Sequence, residues 1–213
     1  MPGITQKLLF VFGTRPEAIK LAPVIRACNG NPQFEVKVAV TAQHRQMLDQ
    51  VLRVFDIQPE YDLNIMEPAQ TLAGSAAKIL AALEPVCAEA RPDIVYVQGD
   101  TTTTLYGALA AFYARVPVGH IEAGLRTGDM AHPFPEEMNR VLAGRIAALH
   151  FAPTEGARRP LSPHNLPAWL TRCNRFLRQL HALHRWEHNR GGGILPGAAV
   201  GEQSVKSKGS HRA

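Results

Sequence analysis

The first 158 residues alternate short runs rich in Val, Ile and Leu with longer segments whose apolar residues recur every three or four positions. The short runs predict β-strands at residues 7–12, 35–40, 94–97 and 118–121, with residues 149–152 as a candidate further strand. The longer segments predict helices at residues 16–28, 45–55, 71–90, 102–114 and 136–148. Strands that alternate with helices are typical of a parallel sheet. Residues 1–158 are therefore predicted to form one α/β domain with a doubly wound, Rossmann-like sheet.

The composition changes abruptly near Arg158. Residues 1–158 carry 14 Lys and Arg against 16 Asp and Glu, whereas residues 159–213 carry 9 against 2 and hold five of the nine histidines. The second segment is predicted to be a basic tail, helical over residues 169–186 and disordered over residues 191–213. The positive charge of this tail would by itself allow it to bind nucleic acid. The sequence lacks the RNP, helix-turn-helix and zinc-finger patterns, however, so no nucleic-acid partner is predicted. A basic helix that binds a protein partner is the alternative.

Length and apolar content bound the class of protein. A chain of 213 residues that is 46% hydrophobic can bury a core. No run approaches the roughly 20 apolar residues that a membrane span needs, and the chain enters its first strand without a signal peptide, so we expect a cytoplasmic protein. The three cysteines, Cys28, Cys87 and Cys173, are widely spaced and predict reduced thiols with no metal site.

The first polar cluster follows the strand at residues 7–12. Gly13 permits a tight turn into a helix, and Arg15 and Lys20 place two cations around the N-terminus of that helix, where free N–H groups favour a phosphate. A capped helix is the alternative, because Thr14 and Glu17 have the spacing of a capping box. The cap leaves Arg15 unexplained, since a cation is unfavourable beside the positive end of a helix.

Two further clusters follow the strands at residues 94–97 and 118–121. Asp100 lies in the second cluster, residues 98–104, and Glu122 lies in the third, residues 120–129, which turns on two glycines. If the strands are neighbours about 4.8 Å apart, both carboxylates face one substrate and provide an acid and a base. The alternatives are that Asp100 and the threonines after it cap a helix, and that Arg126 neutralises Glu122.

Two other positions are candidates with a structural alternative. Glu136 and Glu137 occupy the first turn of a predicted helix, where acidic residues ordinarily complement the helix dipole. The helix dipole is enough to explain Glu137. Glu136 is a candidate site residue as well, because the loop before it can fold it toward the substrate that Asp100 and Glu122 are expected to face. His44 either caps a helix or contacts a ligand.

Five runs in fixed order carry a resemblance to a known family: residues 12–20, 41–45, 99–104, 119–128 and 135–140. Over residues 7 to about 158 the chain resembles the non-hydrolysing UDP-N-acetylglucosamine 2-epimerases. The resemblance implies the first half of a glycosyltransferase-B-like, two-domain architecture that is homodimeric when intact. It also implies interconversion of UDP-N-acetylglucosamine and UDP-N-acetylmannosamine through a 2-acetamidoglucal intermediate, with no cofactor and no metal.

The resemblance also assigns residue roles. Asp100, Glu122 and Glu136 match the catalytic acidic positions of the family, and which of them removes the proton on each face stays open. Arg15, Lys20 and His44 are matched to substrate binding. The uridine contacts and a catalytic histidine are expected in a second domain, for which this sequence offers no acceptable counterpart.

Alternatives stay open for the origin of the tail and for the function of the chain. A reading-frame slip near residue 158 would explain the basic tail, and the other explanation is a natural short variant. A nucleotide-sugar-binding protein without catalysis, or a two-domain glycosyltransferase relative, would share the same fold.

Overall fold

The computed structural model describes residues 5–42, 45–65, 67 and 69–161. Six parallel strands form one sheet: β1 Gln6–Phe12, β2 Phe34–Val40, β3 Tyr61–Asp62, β4 Ile94–Gln98, β5 Val118–Ile121 and β6 Leu149–Phe151. Their order across the sheet is β3-β2-β1-β4-β5-β6. The chain therefore starts in the centre, builds one edge and then returns to build the other, which is the doubly wound topology predicted from the alternation of elements.

The connections between these strands are mainly helical. The helices are α1 Arg15–Asn29, α2 Arg45–Val54, α3 Leu72–Ala90, α4 Thr102–Tyr113, α5 Glu136–Ile146 and α6 Glu155–Arg158, followed by a 3₁₀ turn at Arg159–Leu161. In the part of the chain that the structure describes, no helix is both long and apolar enough to span a membrane.

The central strand β1 separates two hydrophobic cores. Successive side chains of a strand point to opposite faces, so Phe10 and Phe12 pack with α1 and α2 on one face. Leu9 and Val11 pack with α3 and α4 on the other face. Because both faces of the sheet are covered by helices, β1 is almost continuously apolar instead of alternating.

The sequence-based elements agree with this architecture. The five predicted strands, including the candidate at residues 149–152, are confirmed, and the predicted helix ends lie within two residues of those observed. Strand β3 and helix α6 were not predicted. With two residues and four residues, respectively, neither element is long enough to show a hydrophobic period.

Other sequence-based predictions have different outcomes. Cys28 and Cys87 are buried free thiols, as predicted. Cys173, the predicted helix at residues 169–186 and the predicted disorder of residues 191–213 lie outside the described residues. The boundary between residues 158 and 159 stays a prediction.

Gly13 occupies a crowded turn between β1 and α1. A Cβ atom at this position would lie 2.1 Å from Thr41 Oγ1 and 2.7 Å from Thr103 Oγ1. Those two hydroxyl groups are buried and hydrogen-bonded to each other at 2.8 Å, so neither can rotate away without losing its partner. The absence of a side chain at Gly13 lets β1, β2 and α4 meet at the carboxyl edge of the sheet.

We expect Gly13→Ala to lower the free energy of unfolding by about 1–3 kcal/mol, because the added methyl group must separate the two threonines. Urea denaturation measures the change. Gly30→Ala is the matched control, since a Cβ there meets only two carbonyl oxygens at 3.5 and 3.8 Å. Equal losses in the two variants would contradict the crowding at Gly13.

Candidate active site

A cleft of about 510 Å³ opens at the carboxyl edge of the sheet. Its walls are the turn after β1, the loops after β4 and β5, and the first turn of α5. The pairing of β1 with β4 and of β4 with β5 brings these segments together. Three predicted carboxylates and one predicted cation line the cleft: Asp100, Glu122, Glu136 and Lys20.

Glu17 joins the first polar cluster to the second from beneath the cleft. Its buried carboxylate accepts hydrogen bonds from the backbone N–H groups of Gly13 at 3.0 Å and Thr14 at 2.7 Å. Its other oxygen accepts from the hydroxyl groups of Thr101 at 2.7 Å and Thr104 at 3.4 Å. The predicted capping box is confirmed, because the side chain of Thr14 also accepts from the N–H of Glu17. Burial raises the pKa of Glu17, and the hydrogen bonds it accepts oppose that rise.

This network occupies part of the predicted phosphate site. The N–H groups of Gly13, Thr14 and Glu17 are already bonded, and Pro16 has none, so an internal carboxylate and cap take most of the donors that the sequence assigned to an anion. Arg15 is exposed on the first turn of α1 and is not among the residues that line the cleft. Lys20, one turn further along α1, does line it.

Lys20 forms an ion pair with Glu122. The Lys20 ammonium group lies 2.5 Å from Glu122 Oε2, and the amide of Gln98 donates to the same oxygen. The predicted alternative, in which Arg126 neutralises Glu122, is therefore wrong about the partner. Glu122 has a φ of 64°, a left-handed conformation that turns the chain sharply out of β5.

Asp100 forms an ion pair with Arg140. Its Oδ2 atom lies 2.6 Å from an Nη of Arg140, and its backbone carbonyl accepts from the side-chain amide of Asn139 at 2.9 Å. Helix α4 is capped by Thr101, so the interpretation of Asp100 as the N-cap is wrong. Burial raises the pKa of Asp100. The charge of Arg140 opposes the rise, and the charges of Glu136 and Glu122 add to it.

The two glutamates of the first turn of α5 have different environments. Glu136 is half-buried and lines the cleft, and its carboxylate has neither a hydrogen bond nor an ion pair among the residues that the structure describes. Glu137 is buried, and its carboxylate accepts from the N–H groups of Thr127 and Gly128. Glu137 therefore anchors the loop after β5, beyond the dipole role that its position in the sequence suggested.

A second and larger cavity, of about 720 Å³, lies at the other edge of the sheet. It opens between the C-terminal halves of α3 and α4, and its lining is mostly apolar. None of the predicted site residues lines it, so the smaller cleft is the candidate active site. His44, the remaining predicted residue, lies outside the described residues.

Sequence reasoning missed three residues that contact Asp100 or Glu122: Gln98, Asn139 and Arg140. Gln98 ends β4 and donates to Glu122, while Asn139 and Arg140 lie one turn into α5 and reach Asp100. Their positions gave a signal. Gln98 stands at the carboxyl end of a strand, and Asn139 and Arg140 follow Glu136 by three and four positions, which places all three on one side of the helix.

His120 lies beneath the cleft on β5. Its Nε2 is 2.7 Å from the carbonyl oxygen of Gly99, and because a carbonyl only accepts, Nε2 carries the proton. Its buried Nδ1 has no hydrogen-bond partner among the described residues. Burial lowers the pKa of His120 to about 4, with further lowering by the neighbouring His150, Arg126 and Arg140.

The fold and the cleft define a doubly wound α/β protein with a cleft lined by three of the predicted carboxylates at the carboxyl edge of its sheet. The chain belongs to the UDP-N-acetylglucosamine 2-epimerase family, whose family model matches residues 26–169.

Individual relatives agree with this family assignment. The chain is 60% identical over 161 residues to the UDP-N-acetylglucosamine 2-epimerase of Salmonella typhimurium, covering 76% of this chain and 43% of that protein. The crystal structure of the Neisseria meningitidis UDP-GlcNAc 2-epimerase bound to UDP-GlcNAc superposes with a TM-score of 0.71 at 53% identity, covering 73% of this chain and 42% of the other.

A more distant structure shares the fold alone. MurG of Acinetobacter baumannii has a TM-score of 0.53 at 16% identity, with 76% of this chain and 44% of that chain covered. These comparisons confirm the Rossmann-like half of a glycosyltransferase-B-like architecture. The chain spans less than half the length of the relatives that it matches.

We expect the low pKa of His120 to make the fold acid-sensitive. The unfolded histidine binds a proton near pH 6.5, whereas the folded one does so near pH 4, so stability falls as the pH drops between these values. Between pH 7 and pH 5 this residue should cost about 2 kcal/mol of unfolding free energy.

His120→Gln retains a donor for Gly99 and should remove that part of the pH dependence. Urea denaturation at several pH values measures it, with His132→Gln as the control because His132 is exposed. An unchanged pH dependence in His120→Gln would show that His120 is not the acid-sensitive group.

Proposed function

We propose that this chain supplies the catalytic carboxylates of a UDP-N-acetylglucosamine 2-epimerase. The supporting observation is the convergence of Asp100, Glu122 and Glu136 with Lys20 on one cleft. The reaction interconverts UDP-N-acetylglucosamine and UDP-N-acetylmannosamine. Proton removal at C2 accompanies cleavage of the C1–O bond, UDP leaves with the electron pair of that bond, and 2-acetamidoglucal remains. UDP then adds back to C1 while C2 receives a proton on its opposite face.

The chemistry needs one group to accept a proton and another to donate one. Three carboxylates on two loops and a helix surround the cleft, so groups are available on more than one side of a bound sugar. Their environments differ: Asp100 is paired with Arg140, Glu122 with Lys20, and Glu136 with no described residue. Burial, together with the charges of Glu136 and Glu122, raises the pKa of Asp100 against the opposing charge of Arg140, which favours a mixture of protonated and ionised groups at one site.

Lys20 is suited to the leaving group. Negative charge develops on the diphosphate as the C1–O bond breaks, and a cation already in place stabilises it. The side chain of Lys20 is half-exposed and is held at the cleft by Glu122. We assign Arg15 and His44 to substrate binding as well, on the basis of the resemblance in sequence.

We infer that the 213-residue chain by itself has little or no turnover. It matches 43% of the length of the Salmonella relative, and catalysis requires the uridine and phosphate groups to be held in register with the carboxylates. We further infer a UDP-sugar as the partner of the cleft, a homodimeric and cytoplasmic intact enzyme, and no nucleic-acid partner. The charge balance of residues 1–158, which is slightly acidic, supports the last inference.

A chimera tests the proposed reaction. Residues 1–158 replace the matching part of the Salmonella typhimurium relative, and ¹H and ³¹P NMR follow UDP-N-acetylglucosamine in D₂O. We expect UDP-N-acetylmannosamine with deuterium at C2, and a loss in kcat of about 10²–10⁴-fold in Asp100→Asn. Asp129→Asn is the control, because this exposed acid does not line the cleft.

The outcomes separate the alternatives. UDP release that depends on an added acceptor would indicate a glycosyltransferase. Binding without conversion by a folded chimera would indicate a nucleotide-sugar-binding protein. Interconversion by the 213-residue chain at the rate of the chimera would contradict the inferred need for the remaining length.

Lys20→Met in the same chimera should lower kcat/KM about ten- to hundredfold, because a charge-assisted contact to the diphosphate is lost. Lys78→Met is the matched control, since Lys78 forms an ion pair with Glu67 outside the cleft. Equal kcat/KM values for Lys20→Met and the unmodified chimera would contradict the proposed contact between Lys20 and the diphosphate.

A further inference from the structure

The buried carboxylate of Glu137 has no part in the proton transfer proposed above. It follows Glu136 directly in the sequence, but only Glu136 lines the cleft. Glu137 is 1% exposed. A buried carboxylate is costly unless its charge is balanced by nearby donors, so its partners indicate what it holds in place.

One oxygen of Glu137 fixes the loop after β5. Glu137 Oε1 accepts from the N–H groups of Thr127 at 3.1 Å and Gly128 at 3.2 Å. This loop begins at Glu122, which is a proposed catalytic carboxylate. Five and six residues later, Thr127 and Gly128 tie the loop to α5.

The other oxygen of Glu137 contacts Arg140, one turn further along α5. Glu137 Oε2 lies 3.4 Å from Arg140 Nε, which makes an ion pair without the geometry of a hydrogen bond, and the side chain of Arg140 is only 12% exposed. The far end of the same guanidinium group places an Nη 2.6 Å from Asp100 Oδ2. A guanidinium group is planar and rigid, so an attraction that draws Nε toward Glu137 also sets the direction in which the Nη atoms point.

We propose that Glu137 is a positioning residue, which orients the guanidinium group of Arg140 toward Asp100. The proposal rests on the role of Asp100 in the proposed reaction. Glu137 acts through Arg140 and touches neither the cleft nor the substrate, whereas its neighbour Glu136 faces the cleft directly. Of these two adjacent glutamates, Glu136 is therefore placed for the proposed reaction, and Glu137 is placed to orient Arg140.

The charges around Asp100 make the two ways in which Glu137 can act distinguishable. Asp100 experiences Arg140 and Lys20 as cations and Glu136 and Glu122 as anions. Removing the negative charge of Glu137 would, by a direct effect, lower the pKa of Asp100. Releasing Arg140 from its orientation would instead raise it, because the cation nearest to Asp100 is lost. The two effects have opposite signs.

Carbon-detected NMR of the intact 213-residue chain tests the proposal by following the Asp100 carboxyl signal against pH. The variants are Glu137→Gln, Arg140→Gln and the double substitution. Glutamine keeps an oxygen for the N–H groups of Thr127 and Gly128, so it removes the charge with little change to the loop anchor. We expect the Asp100 pKa to rise by about one pH unit in Arg140→Gln and by at least half that amount in Glu137→Gln.

In the double variant we expect no further rise beyond that of Arg140→Gln, since coupled residues are non-additive. An unchanged or lowered Asp100 pKa in Glu137→Gln, or fully additive shifts, would overturn the proposal. Glu155→Gln is the control, because Glu155 also pairs with an arginine three residues later but lies on the exposed α6. The measurement needs no turnover, so the failure of the epimerase assay would leave its result intact.

A second measurement applies if Glu137→Gln does not fold. Burial lowers the pKa of Arg126, and the charge of Glu137 opposes that lowering, so Glu137 also stabilises a second partly buried cation and its removal can affect folding itself. In the unmodified chain, ¹⁵N NMR observes the Nε–H proton of each arginine. We expect exchange with water to be slower for Arg140 than for the exposed Arg15, and equal exchange rates would overturn the orientation by Glu137.

Discussion

The carboxylate of Glu17 is buried beneath the cleft, so its charge must be balanced by the donors around it. Two of these donors are backbone N–H groups in the turn before α1, and two are the hydroxyl groups of Thr101 and Thr104 at the start of α4. One side chain therefore joins the segments that follow β1 and β4. The relative placement of Lys20 and Asp100 depends on this connection, because each lies a short distance along the chain from one of its ends.

Above this network, the cleft places each cation against a carboxylate. Lys20 contacts Glu122, and Arg140 contacts Asp100, which leaves Glu136 as the carboxylate without a described partner. Such pairing holds like-charged groups close together in the absence of substrate. In the proposed reaction a diphosphate would compete with Glu122 for Lys20, which would couple binding of the leaving group to the charge of Glu122.

The parallel sheet determines where the charged side chains of the cleft lie, and burial determines which contacts they make. A parallel sheet collects the carboxyl ends of β1, β4 and β5 at one edge, which brings three distant parts of the sequence to one cleft. Buried polar atoms then require partners, and this requirement selects the capping network of Glu17 and the contacts of Glu137. The candidate site is therefore surrounded by polar groups whose main role is orientation.

The sequence by itself determined the doubly wound fold, the capping box and the position of Asp100 and Glu122 after the ends of two strands, because hydrophobic period, cap spacing and strand ends are local signals. Only the tertiary structure decided which partner each charge takes. Lys20 and Glu122 are 102 positions apart, and Asp100 and Arg140 are 40 apart. A local sequence pattern cannot predict pairs that are so far apart in the sequence. The partner of each charge depends on which side chains the packing of the fold brings within hydrogen-bond distance.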